Sequence, residues 1–154
     1  MVITTRIFGE ITVDDTKVIT FQNGIVGFPK LQRFLLIHDE EKGDKGGIRW
    51  LQSLEEPQFA MLVVDPLTIV ESYNPKIEDE LLKVIDITDN SELLVLTTMT
   101  IPHEIEKMTI NLMAPIIINV DNQLACQMIV EGDYLVKYPV YEILEERKSR
   151  KDGE

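Results

Sequence analysis

The stretch Gln123-Leu124-Ala125-Cys126-Gln127-Met128-Ile129-Val130 decides the fold class. Side chains along a strand alternate between two faces; here Leu124, Cys126, Met128 and Val130 share one face while Gln123, Ala125 and Gln127 share the other. The period is two. Immediately upstream, Asp121 and Asn122 follow the apolar run from Pro115 to Val120, which predicts a hairpin closed by a two-residue connection of types that tolerate positive φ. Further back, Met108, Ile110 and Leu112 alternate with Thr109 and Asn111, and Leu93, Val95, Thr97, Met99 and Ile101 line one side of the preceding run. Three or four antiparallel strands are expected in succession.

The N-terminal half has the same texture. Runs of Val, Ile, Thr, Phe and Tyr broken by Gly, Pro, Asn and Asp predict strands near Ile3 to Phe8, Ile11 to Val13, Lys17 to Phe21, Phe34 to Asp39, Ile48 to Leu54 and Phe59 to Asp65. So many short strands point to a barrel or sandwich. Two helices interrupt them. One follows Asn74 and Pro75, with Ile77, Leu81 and Val84 at helical spacing and Glu78, Asp79 and Glu80 in its first turn. The other spans about Tyr141 to Arg150, with Ile143 and Leu144 as an apolar patch, acids early, and Arg147, Lys148, Arg150 and Lys151 late. The expected fold is mainly β: a small closed or partly open antiparallel β-barrel over residues 1–140, one short helix near 76–85, and a charged C-terminal tail, 141–154, helical in part or frayed.

At 154 residues the chain is long enough for one core without disulfides or metals. Its 27 acidic and 15 basic side chains leave a formal charge of −12, which disfavours a phosphate-neutralising surface and favours basic partners. With 44% apolar and 27% charged residues it is too hydrophobic for a disordered chain, and no apolar run reaches the ~18 residues that span a bilayer. The opening MVITTRIFGE has no apolar h-region and Cys126 has no partner for a disulfide, so export is not expected and the cytoplasm is.

Searching for chemistry yields little. His38 beside Asp39 and His103 beside Glu104 resemble acid/base pairs, but neighbouring strand residues face opposite ways. With two histidines, one cysteine and no H-x-x-x-H or C-x-x-C spacing, no transition-metal site is supported. Cys126 lies on an apolar face, where a thiol behaves as a small hydrophobe with a raised pKa. Gly24, Gly27, Gly43, Gly46 and Gly47 fit neither a P-loop nor G-x-G-x-x-G. The run Asp39 to Lys45 lacks the ligand alternation and closing Glu of a calcium loop, and acids offset the basic cluster Arg147 to Lys151. No cofactor and no enzymatic activity are expected.

Several residues are over-specified for packing alone. The string Phe21-Gln-Asn-Gly-Ile-Val-Gly-Phe28, the run Trp50-Leu-Gln-Ser53 with Pro57, an apolar strand closing on Asp65-Pro66, and then Tyr73 resemble the FliW family of flagellar assembly factors. Thr109-Ile-Asn-Leu-Met-Ala-Pro-Ile-Ile-Ile-Asn119, with Gln127 and Tyr134 after it, is similar to that family's most distinctive segment, Met113 standing at a variable position. These motifs run from residue 8 to 138. The resemblance implies a barrel-like cytoplasmic protein, monomeric when free, that acts through protein contacts. It implies two partners: the translational repressor CsrA, which such proteins antagonise from beside its RNA-binding surface, and newly made flagellin, so that free flagellin withdraws the antagonist and restores repression. The acidic body fits that role, since docking it beside a basic dimer raises the cost of bringing phosphates in.

Individual residues have plainer readings too. Gly24 and Gly27 supply turn geometry; Phe28 either packs beneath its loop or presents an anchor; Trp50 is either core or a hot spot, with Gln52 and Ser53 as its exposed companions. Asn111 and Asn119 are expected to satisfy turn backbone, and Pro115 to mark an edge or bulge. The candidate partner-binding residues are the acids Glu55, Glu56, Glu71, Glu78, Asp79 and Glu80, which suit a basic partner, with Tyr73 and Gln52 beside them; for flagellin they are Ile25, Val26 and Phe28. Two other barrels compete. A small-ligand barrel needs an interior cavity that the many Ile, Leu and Met residues would fill, and a single-strand nucleic-acid barrel needs interleaved basic and aromatic residues where only 6% are aromatic. Neither nucleic acid nor a membrane is an expected partner.

Overall fold

In strand β6 (Ala60–Val64), Met61 and Val63 face one apolar cluster while Leu62 and Val64 face another, so a single strand feeds two cores. The same division recurs in β4 (Arg33–His38), where Phe34 and Leu36 oppose Leu35 and Ile37. It explains why the strands are apolar on both faces: each separates a barrel interior from an outer layer. The computed structural model describes residues 2–38, 48–75, 83–86 and 92–152, with 147–152 as backbone alone.

The remaining strands are β1 (Val2–Thr5), β2 (Gly9–Thr12), β3 (Ile19–Phe21), β5 (Arg49–Ser53), β7 (Leu93–Thr100), β8 (Thr109–Ile110), β9 (Ile116–Asn119), β10 (Leu124–Gln127) and β11 (Tyr138–Pro139). Seven of them close a ring in the order β3-β4-β5-β6-β7-β9-β10 and back to β3. Strand directions cannot alternate all the way round a ring with an odd number of members. One neighbour pair must therefore be parallel, and it is β3–β10, through Thr20↔Leu124 and Phe21↔Ala125; every other pair in the ring is antiparallel. The fold is thus the expected mainly β closed barrel, carrying one parallel seam.

Every ring strand contributes to the interior. Ile19 and Phe21, Phe34, Leu51, Val63, Leu96, Ile116 and Ile118, and Ala125 form one cluster, joined by Ile25 from the loop after β3. The Phe21 and Phe34 rings meet edge to face at 5.3 Å. Removing such a side chain from water contributes about 1.5–3 kcal/mol each. These side chains occupy the barrel axis, which leaves the ligand-barrel alternative without its interior site.

The outer layers are built from what the ring leaves over. The β1–β2 hairpin brings Ile3 and Ile11 onto Val13, Leu35 and Leu54. The expected hairpin at Asp121-Asn122 differs in detail: β9 and β10 pair from Asn119↔Leu124, and the connection is 120–123. Its left-handed residue is Gln123 (φ 61°), whose N–H bonds the Asn119 carbonyl at 2.9 Å, while the Asn122 and Asn119 side chains cap the turn. The expected run of successive antiparallel strands also breaks. Chain order gives way because β8 pairs β7 and an unforeseen β11 outside the ring, while β9 returns to the other end of β7.

Residues 76–82 of the anticipated short helix lie outside the described residues; Lys83 and Val84 are helical and Ile85 is fully buried. The C-terminal helix is real and runs Tyr141–Asp152. Ile143 and Leu144 pack it on the cluster of Val64, Tyr73, Met99, Ile110 and Val140, so the start of the tail is part of the folded body.

Candidate partner-binding site

The most distinctive surface forms at the barrel end where β3 and β7 stop and β9 begins. After β3 the chain must turn sharply, and Gly24 does so at φ 69° with its N–H on the Phe21 carbonyl at 2.9 Å. A Cβ there would stand 2.5 Å from the Pro29 carbonyl oxygen, so glycine is required. Ile25 and Phe28 then exchange backbone hydrogen bonds (2.8 and 3.3 Å) about a turn whose third residue, Gly27, has φ 86°. The turn buries Ile25 in the barrel (4% exposed) and leaves Val26 and Phe28 each 48% exposed.

Gln127 fixes this loop in place. Its Oε1 accepts the Val26 N–H at 2.8 Å and its Nε2 donates to the Ala114 carbonyl at 3.1 Å. Phe28 leans on Phe59 with ring centroids 5.0 Å apart, so it both packs and presents a face to solvent. Beside the loop lies an open cleft of about 490 Å³. Val26, Phe28 and Ile101 stand at its rim, Trp50, Leu62 and Met99 contribute apolar wall, and Thr98, Asn111 and Gln127 supply uncharged polar groups. Among the described residues no ionisable side chain lines it, in a chain with 27% charged residues.

The other sequence-derived candidates separate into scaffold and surface. Gln52 and Ser53, expected as exposed companions of Trp50, are fully buried. The reason is the β5–β6 turn: Gln52 Nε2 lies 2.9 Å from the Ser53 carbonyl, 3.0 Å from that of Pro57 and 3.2 Å from that of Phe59, and Ser53 Oγ accepts the Glu56 N–H at 3.0 Å. Tyr73, expected at a contact surface, is 5% exposed; its hydroxyl donates to the Leu112 carbonyl at 2.6 Å and its ring meets Tyr134 edge to face at 5.1 Å. Burial raises its phenol pKa, with Tyr134 adding to the shift. Ile25 is buried, and from that position it lines the inner wall of the cleft.

Glu55, Glu56 and Glu71 are exposed. Glu55 is committed to Arg33, accepting its backbone N–H at 2.9 Å and its Nε at 3.2 Å. Glu78, Asp79 and Glu80 lie outside the described residues. Trp50 is half-buried, edge-on to Phe8 at 6.0 Å. Asn111 caps the turn into β9 through the Met113 and Ala114 N–H groups, and Asn119 bonds the Ile85 carbonyl at 3.0 Å, as the asparagines were expected to do. What the sequence reading missed is the part Ile101 and Gln127 take in the cleft; the Ile101-Pro102 step, an apolar strand end that cannot continue, was the available signal.

Chemical groups are sparse. Burial pushes the Cys126 thiol up to about 11, so it is a poor nucleophile. Among the described residues no group of three or more His, Cys, Asp or Glu is placed to hold a metal, and no helix is long and apolar enough to cross a membrane.

The family model for FliW protein matches residues 2–140. A flagellar assembly factor FliW of Lachnoclostridium phytofermentans is 43% identical over 155 aligned positions, covering 100% of this chain and 99% of its own. That of Lachnospira eligens is 42% identical, covering 97% of this chain and 100% of its own. A crystal structure of the flagellar assembly factor FliW superposes with a TM-score of 0.83 at 25% identity, covering 92% of this chain and 97% of that one. The chain is a member of the FliW family of flagellar assembly factors.

Proposed function

We propose that this flagellar assembly factor works in the cytoplasm by protein contacts alone, binding and antagonising the translational repressor CsrA and binding flagellin, the second partner withdrawing it from the first. The observation that carries the reading is an uncharged mouth, lined by apolar and neutral polar groups, on a chain of formal charge −12. A basic RNA-binding protein is drawn to the acidic flank, and an anionic body held beside the RNA site repels phosphates without entering it. Flagellin takes the uncharged mouth, with Val26 and Phe28 as its apolar contacts. For CsrA the candidate acids are Glu55, Glu56 and Glu71, with Glu78, Asp79 and Glu80 on the segment after Pro75.

The test is a pull-down from flagellated-cell extract with this protein as bait, followed by calorimetry. CsrA and flagellin are expected in the eluate, and added flagellin is expected to release CsrA. Reversing Glu71, Glu78 and Glu80 to lysine should slow CsrA association and flatten its dependence on salt, because steering by exposed charge is screened within about 10 Å at 0.1 M. Absence of both partners with folded bait rejects the reading; unchanged CsrA kinetics at low salt moves the acidic site elsewhere.

A further inference from the structure

The cleft coincides with a break in the barrel's hydrogen-bond ladder. Antiparallel pairs alternate between those that exchange backbone hydrogen bonds and those that do not. On the β5 side of β6, the Ser53 N–H bonds the Phe59 carbonyl at 3.0 Å, which makes Gln52↔Ala60 a non-bonded pair and turns the Ala60 N–H and C=O towards β7. There the β6–β7 register ends at Leu62↔Met99. The next bonded pair in register would be Ala60 with Ile101, and among the described residues no backbone hydrogen bond joins them. Beyond Met99 the β6-facing edge of β7 is unpaired among the described residues, while its opposite edge goes on pairing β8 through Met99↔Ile110 and Thr100↔Thr109, and Pro102 follows. Both Ala60 and Ile101 line the cleft.

We infer that this gap is a strand-addition site, in which an extended, uncharged segment of flagellin hydrogen-bonds to Ala60 and Ile101 and lays its side chains against Phe28 and Trp50. The inference rests on the reading that flagellin is a partner and adds its mode of binding. Backbone groups left facing a cleft specify backbone groups in the occupant, and an added strand satisfies them. The uncharged lining specifies uncharged side chains, since an ionised one would enter without a partner. A second copy of this chain would bring another −12 charges to the encounter.

Amide exchange followed residue by residue on isotope-labelled protein, with and without purified flagellin, tests this together with the variant Ala60→Pro. Proline is tolerated on a free edge, and the N–H it removes points away from β5. Bound flagellin should slow exchange at Ala60 and Ile101 at least tenfold. Ala60→Pro, melting as the unsubstituted protein does, should bind flagellin at least tenfold more weakly and CsrA unchanged. If the variant fails to fold, the exchange measurement on the unsubstituted protein decides. Flagellin bound with both amides exchanging as in the free protein overturns the strand-addition site and leaves the partner standing; no flagellin binding at all overturns both.

Discussion

Replacing Gln52 by Glu exchanges one amide nitrogen for an oxygen and should make stability strongly pH-dependent. The side chain is fully buried, its Nε2 faces the carbonyl oxygens of Ser53, Pro57 and Phe59, and its own Oε1 has no hydrogen-bond partner. A carboxylate there would set negative charge against three carbonyl dipoles without water, and full burial raises a carboxyl pKa by up to about 3–5 units. The folded-state pKa then lies above the unfolded one. Stability is near its maximum below the unfolded carboxyl pKa and falls as pH rises through the window up to the folded pKa, at about 1.4 kcal/mol per unit. Urea titrations of variant and parent in parallel should therefore show a difference that grows by about 4 kcal/mol between about pH 5 and 8, a large part of a typical domain's 5–15 kcal/mol. Even the protonated acid, with one donor in place of two, should cost about 1 kcal/mol. Gln52→Met keeps the volume and removes the titration, so its cost of about 1–3 kcal/mol should not vary with pH. A flat profile for Gln52→Glu would mean that the carboxylate reaches water and that the turn does not depend on the buried amide.

Other consequences are simpler to measure. Gly24→Ala combines a left-handed φ of 69° with a Cβ placed 2.5 Å from the Pro29 carbonyl oxygen. A cost of about 3 kcal/mol, lowering Tm by roughly 6–12 °C in a thermal melt, is expected; an unchanged Tm would refute the loop geometry. Tyr73→Phe deprives the Leu112 carbonyl of its 2.6 Å donor and should lower the urea midpoint by the equivalent of about 1–3 kcal/mol with the m-value unchanged. Cys126, with its thiol pushed up to about 11, should resist a disulfide reagent at mild alkaline pH until urea unfolds the chain. Rapid labelling of the native protein would contradict its burial.

Much of the fold is legible in local pattern because a strand's alternation survives whatever its partner is. The β4, β5, β6 and β7 runs read correctly to within a residue or two at each end. Pairing is different in kind. That β9 returns to β7, that β8 leaves the ring for β11, and that β10 lies parallel to β3 follow from closing a ring, a condition on the whole chain that no window of residues carries. Strand β10 shows the limit: Leu124 and Cys126 face one cluster and Ala125 another, so the polar-looking side of the alternation carries a core residue and two half-buried glutamines rather than facing solvent.

The site was read less well, and for a physical reason. Residues over-specified for packing are those with polar atoms in the wrong place for a core, and there are two ways to hold such an atom: a partner protein or the protein's own turn. Gln52, Ser53, Tyr73, Asn111 and Asn119 all take the second way, each bonded to backbone from its own chain. Gln127 takes it too, but what it steadies is a loop that exposes Val26 and Phe28. These motif residues therefore mark the frame, and the side chains the frame holds outward are Val26 and Phe28, which the sequence already offered as candidates, and Ile101, a plain aliphatic signalled only by the proline after it. Contact by backbone at Ala60 is one step less visible, since a strand edge has no residue type of its own. The order of sensitivity follows. Substituting the turn-holding amides should weaken folding and binding of both proposed partners together, whereas substituting the mouth should leave the melt intact and separate one proposed partner from the other.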